Sequence, residues 1–289
     1  MAVVRIGTCS WADEGLVKTW YPRGVSSPAA RLAYYAERFD TVEVDSPFYR
    51  LPSPETTAKW AERTPDAFVW HAKASAAMTG HEEADRETAF REFREAFQPL
   101  EASGKLRSVL LQYHPRFVKS AEAKEELRRA GPLLAPLVPL VEFRNRSWLE
   151  EDERADTFSF LEAHGLAYVS VDSPRTRASN VVPRVAAATA PVAYVRFHGR
   201  NWRTWNIRGA RSSADRFDWM YSREELDEWV EPLRRLAGEA EEVYALMNNN
   251  RDDFAPRSAS ILRGLLNEHG IPATGGVEPP QTGQLELTI

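Results

Sequence analysis

The chain has 289 residues, 43% of them hydrophobic, which is enough to bury one large core or two modest ones. Its formal net charge of −5 gives no overall basic field that would attract nucleic acid or a membrane surface, and its single cysteine, Cys9, excludes internal disulfides and CxxC zinc sites. No stretch is as long and apolar as a membrane span, and the N-terminus lacks a signal-peptide pattern, so we expect a cytoplasmic protein without membrane association.

Eight short apolar segments, rich in β-branched residues and ended by polar ones, are typical of buried strands. In chain order these predicted strands are 3–8, 41–45, 68–73, 108–112, 140–144, 167–172, 191–198 and 243–248. Apolar residues at helical spacing fill most of the intervals, often after a Ser-Pro or Ser-x-x-Glu start signal. The predicted helices are 28–39, 54–60, 82–97, 121–130, 152–164, 222–236 and 256–269.

Strands that alternate with helices over this length predict an α/β protein that forms a single (β/α)₈ TIM-type barrel, with a doubly wound open sheet as the alternative. We assign residues 1–270 to the barrel domain. From residue 271 the composition turns to Pro, Gly and polar residues, so 271–289 is predicted to be a flexible, disordered tail. Residues 172–191 and 199–221 are predicted to be irregular connections, and the second is rich in Arg and Trp.

Polar residues recur at every second position near the ends of the predicted strands. The pairs are Glu43 and Asp45, His71 and Lys73, Gln112 and His114, Glu142 and Arg144, Ser170 and Asp172, and Arg196 and His198, with Asn248, Asn249 and Asn250 after strand eight. Alternate residues of a strand share one face, and barrel enzymes carry their chemistry at the carboxyl ends of the strands. We therefore expect this polar set to point into the barrel mouth.

The same segments carry a family resemblance. IGTCSW, RFDTVEVDSPFYRLPSPET, KASAAMTGH, LLQYHPRF, VEFRNRSW, YVRFHG and the MNN of strand eight resemble the YecE-like family of uncharacterised TIM-barrel proteins, the domain of unknown function 72. The resemblance runs from the first strand to about residue 266, implies a (β/α)₈ barrel and names no reaction. The candidate site residues that fit the family pattern are Tyr49, Lys73, Gln112, Glu142, Arg144, Asp172, Arg196, His198, Asn248 and Asn249.

Three cations, Lys73, Arg144 and Arg196, converge on the predicted mouth and favour an anionic ligand, either a phosphate or a carboxylate. Histidine can transfer protons near neutral pH, and a carboxylate can act as base or nucleophile, so the predicted catalytic residues are Glu142, His198, Asp172 and Lys73. The predicted substrate-binding residues are Arg144, Arg196, Gln112, Glu43, Tyr49, Trp11, Asn248, Asn249, Arg200 and Arg203. We expect a hydrolase or phosphoesterase that acts on a phosphorylated small molecule or on nucleic acid.

Two other functions fit the sequence. Glu142 and Asp172 lie on neighbouring predicted strands, which are about 4.8 Å apart, and this suits the roughly 5–5.5 Å carboxyl separation of retaining glycosidases. Aromatic residues such as Trp11, Tyr49 and Trp205 would then stack on sugars. The other alternative is a non-enzymatic protein that holds an anion or a partner in the mouth.

The sequence also offers possible ligands for a divalent metal ion. Glu142, Asp172, His198, His71 and His114 offer nitrogen and oxygen ligands that suit zinc or manganese. Neighbouring Lys and Arg side chains would repel a cation, so we assign no metal ligand and leave the cofactor unknown.

The C-terminal hexapeptide resembles the QLxLxL-type peptide by which bacterial repair proteins bind the replicative sliding clamp. Its predicted partner-binding residues are Gln284, Leu285, Leu287 and Ile289. Clamp binding would favour a DNA substrate, for which Arg200, Arg203, Arg208 and Arg211 would supply the phosphate contacts that the acidic overall charge does not.

Overall fold

The computed structural model describes residues 1–207, 209 and 212–276. Its eight main strands are β1 (Val4–Thr8), β2 (Thr41–Val44), β3 (Val69–Lys73), β4 (Leu106–Gln112), β5 (Val138–Glu142), β6 (Ala167–Asp172), β7 (Val192–Phe197) and β8 (Glu242–Met247). Each corresponds to one predicted strand, with ends displaced by two residues at most.

The sheet is parallel throughout and closes on itself. Each strand pairs with the next along the chain, and β1 completes the ring by pairing with β8 over its whole length and with β2 at Thr8 and Val42. The predicted TIM-type barrel is therefore confirmed, and the open doubly wound alternative is wrong. Closure brings the carboxyl ends of all eight strands to one rim, which is where a barrel can assemble a site from many segments.

Eleven α-helices are found in the described residues. They are α1 (Glu14–Thr19), α2 (Pro28–Ala36), α3 (Pro54–Glu62), α4 (Arg86–Ala102), α5 (Ala121–Leu134), α6 (Arg154–Ala163), α7 (Trp202–Trp205), α8 (Ser213–Arg216), α9 (Arg223–Asp227), α10 (Val230–Glu239) and α11 (Phe254–Glu268). Helices α1, α7 and α8 were not predicted, because helices of four to six residues leave almost no periodic signal.

The single helix predicted over 222–236 is two helices. Its capping box is present, with Ser222 accepting from the backbone of Glu225 and the Glu225 side chain accepting in return. Pro232 explains the break, since proline cannot donate to the carbonyl of residue 228 and its ring clashes with that carbonyl in a continuous helix. Residues 173–191, all of them described, contain no helix, as predicted for this connection.

The core lies between the barrel wall and the helices, and aromatic side chains fill much of it. Trp70 on β3 stacks on Trp60 of α3 at 5.4 Å, and Trp11 meets both indoles edge-on at about 5 Å. The Tyr35 hydroxyl donates to the carbonyl of Thr41 and accepts from the amide of Thr8, which ties β1, α2 and β2 together. Strands buried on both faces are nearly all apolar, as observed here.

The predicted domain boundary at residue 271 is wrong for its first six residues. Ile271 is fully buried, and a ninth strand, β9 (Ala273–Thr274), pairs in parallel with Val4 and Arg5 of β1. Thr274 also donates to Asp40. These residues cover the amino end of β1, where β2 does not pair with it. The remainder of the predicted tail, 277–289, lies outside the described residues.

None of the described helices is both long and apolar enough to cross a membrane.

Candidate functional site

A cavity of about 960 Å³ opens at the carboxyl ends of the strands. Six of the predicted site residues line it: Trp11, Tyr49, Lys73, Gln112, Arg144 and Asn248. Each follows or ends a different part of the barrel wall, so closure of the sheet, rather than sequence proximity, brings them together. The predicted location of the site is therefore where the largest of the described cavities lies.

Lys73 provides a cation in the cavity wall. Its ammonium lies 4.4 Å from the centroid of the Phe48 ring, and no hydrogen bond or ion pair to Nζ is found within the described residues. Burial lowers the pKa of Lys73, and the neighbouring Asp45 carboxylate partly offsets this. A half-buried ammonium with unused donors favours a negatively charged ligand.

An arginine occupies the centre of the barrel below the cavity. Arg196 on β7 donates to Glu43 of β2 at 2.5 Å and to Glu142 of β5 at 2.7 Å, and all three side chains are fully buried. Tyr194 donates to the second oxygen of Glu43 at 2.8 Å. The charge of Arg196 is thus paired with the ionised Glu142 carboxylate, as a buried ion must be.

Glu142 is surrounded by hydrogen-bond donors and does not line the cavity. One oxygen accepts from Arg196, and the other accepts from Arg144 and from His198. Burial alone would raise its pKa, but Arg144 and Arg196 outweigh burial and hold the pKa of Glu142 well below its usual value. Its place under the cavity supports a role in orienting Arg144, not the predicted role as base or nucleophile.

His198 is also held in place below the cavity. Asn248 Nδ2 lies 2.7 Å from its Nδ1, and its Nε2 lies 3.1 Å both from Glu142 Oε1 and from Arg144 Nη2. Burial and the nearby Arg144 guanidinium lower the pKa of His198 to about 3. A ring that stays neutral at physiological pH fixes the geometry of Glu142, which argues against the predicted proton transfer by His198.

Glu43 lies on β2 and Asp45 comes directly after the strand, and the two carboxyl groups differ in protonation. Burial raises the pKa of Glu43 to about 8, and the Asp45 carboxylate adds to this increase while Arg196 opposes it. Burial would also raise the pKa of Asp45, but Lys73 and Arg196 lower it overall. The ionised carboxylate of the pair is therefore Asp45, the one that lines the cavity.

The prediction that Asp172 shares the mouth with Glu142 is wrong. Asp172 is paired in register with Phe197, which contacts helix α10 through Trp229, and it therefore faces outward. Its oxygens accept from Tyr221, Trp229 and Arg200. The side chains of β6 alternate between two faces as predicted. The face that points into the barrel is the one that carries Val171, not the one that carries Asp172.

Three other predicted residues serve the wall or the surface. Asn249 is buried and donates to Ser258 of α11, whereas Asn248 and Asn250 on either side of it line the cavity. Arg200 is bound by Asp172 and Glu228 and is not free for a phosphate. Arg203 lies over the ring of the exposed Trp202, outside the residues that line the cavity.

The five residues considered as metal ligands do not converge. His71 lies deep in the barrel, bonded to Ser108 at 2.6 Å, whereas His114 is at the rim beside His81, and Asp172 faces the helices. Within the described ranges no group of three or more His, Cys, Asp or Glu has a geometry that could hold a metal ion.

Asp13, His81 and Arg216 are among the cavity residues that were not assigned to the site from sequence. Asp13 precedes the short helix α1, and Arg216 ends the short helix α8, so neither belongs to a recognisable strand end. The only signal for them was their position in long connections after predicted strands, which is where barrel sites recruit residues. Gln284, Leu285, Leu287 and Ile289 lie outside the described residues.

Comparisons with known proteins agree on one family. A family model described as "Protein of unknown function DUF72" matches residues 5–283. The chain is 31% identical over 272 residues to the UPF0759 protein YunF of Bacillus subtilis, which covers 92% of this chain and 95% of that one. Among solved structures, a DUF72 family protein of Enterococcus faecalis superposes with a TM-score of 0.81 at 26% identity, covering 92% of this chain and 96% of that one.

A second solved structure gives the same result. A DUF72 family protein of Thermotoga maritima superposes with a TM-score of 0.80 at 29% identity, covering 92% of this chain and 99% of that one. These relatives share the whole barrel, and their descriptions name no reaction.

Proposed function

Because the chain belongs to the DUF72 family, whose description names no activity, we propose its function from the barrel mouth: it is an enzyme that binds a phosphorylated small molecule there and hydrolyses the phosphoester. The observation that carries this proposal is the Lys73 ammonium. It lines the cavity, and no acceptor bonds to it among the described residues. A phosphate oxygen is the kind of acceptor that satisfies such a group.

Two guanidinium groups reinforce the anionic preference. Arg144 and Arg216 line the same cavity as Lys73. Arg144 is held from below by Glu142 and by the Trp205 ring at 5.2 Å, so its orientation is set before a ligand arrives. A preorganised cation binds an anion with less loss of side-chain entropy than a mobile one.

The ionised Asp45 carboxylate supports hydrolysis rather than binding alone. It lines the cavity close to Lys73, whose charge lowers its pKa. A carboxylate that stays ionised beside a bound phosphate can orient a water molecule and accept its proton. The Glu142 and Asp172 pair proposed for a glycosidase lacks this support, because the two side chains lie on opposite faces of the barrel wall.

The test is a calorimetric titration with inorganic phosphate, followed by an assay with 4-nitrophenyl phosphate. We expect Lys73→Gln to weaken phosphate binding at least about tenfold, the effect of losing one charge-assisted contact. Lys59→Gln on helix α3, where the side chain is exposed, is the matched control and should bind as the native protein does. Phosphate binding without turnover would reject the hydrolase and favour a non-enzymatic phosphate-binding protein. Absence of phosphate binding would reject both the hydrolase and the binding protein.

Nucleic acid is the second candidate substrate, favoured by the exposed aromatic residues at the rim. Trp202 is 64% exposed and Tyr49 is 80% exposed, and bases stack on such rings. Anisotropy titrations with single-stranded DNA at several salt concentrations test it. Arg203→Gln should lower the slope of affinity against salt, whereas Arg200→Gln should not, since Arg200 is bound to Asp172. If the native protein, Arg203→Gln and Arg200→Gln all show the same slope of affinity against salt, nucleic acid is rejected as the substrate.

A further inference from the structure

The cavity contains a second carboxyl group, that of Asp13. Asp13 immediately precedes helix α1, and its side chain makes no capping bond to that helix. It lines the mouth together with Asn250, whose Nδ2 donates to it at 3.1 Å and to Ser213 at 2.7 Å. Asn250, which also bonds to Ser213, thus holds the Asp13 carboxyl at the cavity wall.

The surroundings of Asp13 favour its neutral form. No ion pair to its carboxyl is found within the described residues; the groups that act on it are Ser10, Asn250 and the Asp45 carboxylate, and it acts in turn on Tyr21. Burial raises the pKa of Asp13 to about 6, and the charge of Asp45 adds to the increase. A part of the molecules therefore carries the proton at neutral pH.

Asp13 and Asp45 thus form an unequal pair in one cavity. Lys73 and Arg196 hold Asp45 in its ionised form, whereas the side chains that bond to Asp13 are an amide and a hydroxyl group. Two carboxyl groups whose environments separate their protonation in this way are the arrangement that hydrolases use for a base and an acid.

Building on the proposed phosphoester hydrolysis, we propose that Asp13 is the general acid that protonates the leaving oxygen. Water attacks phosphorus and gives a proton to the Asp45 carboxylate as the new P–O bond forms. The bond from phosphorus to the leaving oxygen breaks, its electron pair stays on that oxygen, and the oxygen takes the Asp13 proton. The products are inorganic phosphate and an alcohol, and the two carboxyl groups exchange their protons with solvent.

The substrate class follows from this role. A leaving group that needs a proton is a poor one, such as the alcohol of a sugar or polyol phosphate or of another alkyl phosphate. The leaving groups of phosphoanhydrides, and of aryl phosphates with acidic phenols, depart without being protonated. We therefore assign the mouth to alkyl phosphomonoesters.

The experiment compares phenyl phosphate, which has a poor leaving group, with 4-nitrophenyl phosphate, which has a good one. Asp13→Asn should lower kcat/KM for phenyl phosphate about 100-fold or more, and for 4-nitrophenyl phosphate by less than about tenfold. The native rate for phenyl phosphate should fall as pH rises above about 6, and Asp13→Asn should lose this limb. Glu14→Gln, which removes an exposed carboxylate from helix α1 next to Asp13, is the matched control and should behave as the native protein does.

An equal loss for both probes, or none for either, overturns the role of Asp13 and leaves the proposed hydrolysis intact. No turnover of either probe by the native protein overturns the proposed function and this role with it. Carboxyl NMR provides a readout that is independent of activity. A group that titrates near pH 6 should be missing from Asp13→Asn, and its persistence there would also overturn the assignment.

Discussion

Arg196 on β7 and Glu142 on β5 form a fully buried ion pair across the barrel, with Nη1 2.7 Å from Oε2. The strand between them, β6, contributes only apolar side chains to this level of the interior, since Val171 is in register with Arg196. The pair therefore links two strands that do not touch. Because Arg144 and His198 also bond to Glu142, one carboxylate holds three side chains in place beneath the mouth.

Glu142→Gln should therefore be strongly destabilising. The amide keeps the shape but leaves Arg144 and Arg196 as buried cations with too little negative charge, which costs about 3–5 kcal/mol. Urea denaturation should show this loss, and Glu62→Gln on the exposed face of α3 should stay within about 0.5 kcal/mol of the native value. A loss below about 1 kcal/mol would contradict the role of Glu142 as the support of this network.

The same residue should make the native protein sensitive to acid. The folded state holds the pKa of Glu142 well below the value of 4.5 that it has when unfolded. The unfolded chain therefore binds the proton first as pH falls, so the stabilisation is complete above pH 4.5 and is lost as pH decreases through the lower folded value. In Glu142→Gln this part of the acid sensitivity should be absent.

The barrel and most of the mouth could be predicted from the sequence because both depend on simple periodicities. Strand alternation placed Glu43, Lys73, Glu142 and Arg196 on the interior face correctly. The same rule failed on β6, where polar Asp172 faces outward. Alternation fixes which residues share a face, but which face is interior depends on distant partners, and Trp229 lies 57 residues away.

The protonation of the site could not be predicted for a similar reason. Glu43 and Asp45 are two residues apart in sequence, yet burial raises the pKa of one, and Lys73 with Arg196 lowers that of the other. These effects come from burial and from strands β3 and β7, which only the closed barrel brings together. Asp13 was missed because a loop residue before a six-residue helix has no periodic signal.

Asp172→Asn should destabilise the fold without weakening phosphate binding. Asp172 accepts from Tyr221, Trp229 and Arg200, and an amide offers these donors only one oxygen, so we expect a loss of about 2–4 kcal/mol. Urea denaturation measures it, with the exposed Asp152→Asn as the control. The dissociation constant for phosphate should change less than about twofold, the size of an indirect effect. Weaker binding with unchanged stability would instead place Asp172 in the mouth.

Glu43→Gln should flatten the pH dependence of stability between about pH 5 and 8. Burial raises the pKa of Glu43 to about 8 from 4.5, so the folded state binds its proton where the unfolded chain has lost it. Stability from this group is complete below the unfolded pKa and is lost as pH rises through the folded one. Urea midpoints across this range should fall less in Glu43→Gln than in the native protein. Parallel curves would show that Glu43 is ionised in the fold.

The C-terminal hexapeptide should bind the replicative sliding clamp independently of the barrel. The family match ends at residue 283, so the hexapeptide lies outside the matched residues. Deleting residues 284–289 should abolish recovery of purified sliding clamp on the immobilised protein, and Gln284→Ala with Leu285→Ala should do the same, since two of the four motif residues are then lost. Glu286→Ala with Thr288→Ala changes only the variable positions of the motif and should retain recovery. Unchanged recovery after the deletion would remove the connection to DNA repair, while the phosphate-binding proposal for the mouth would stand on its own measurements.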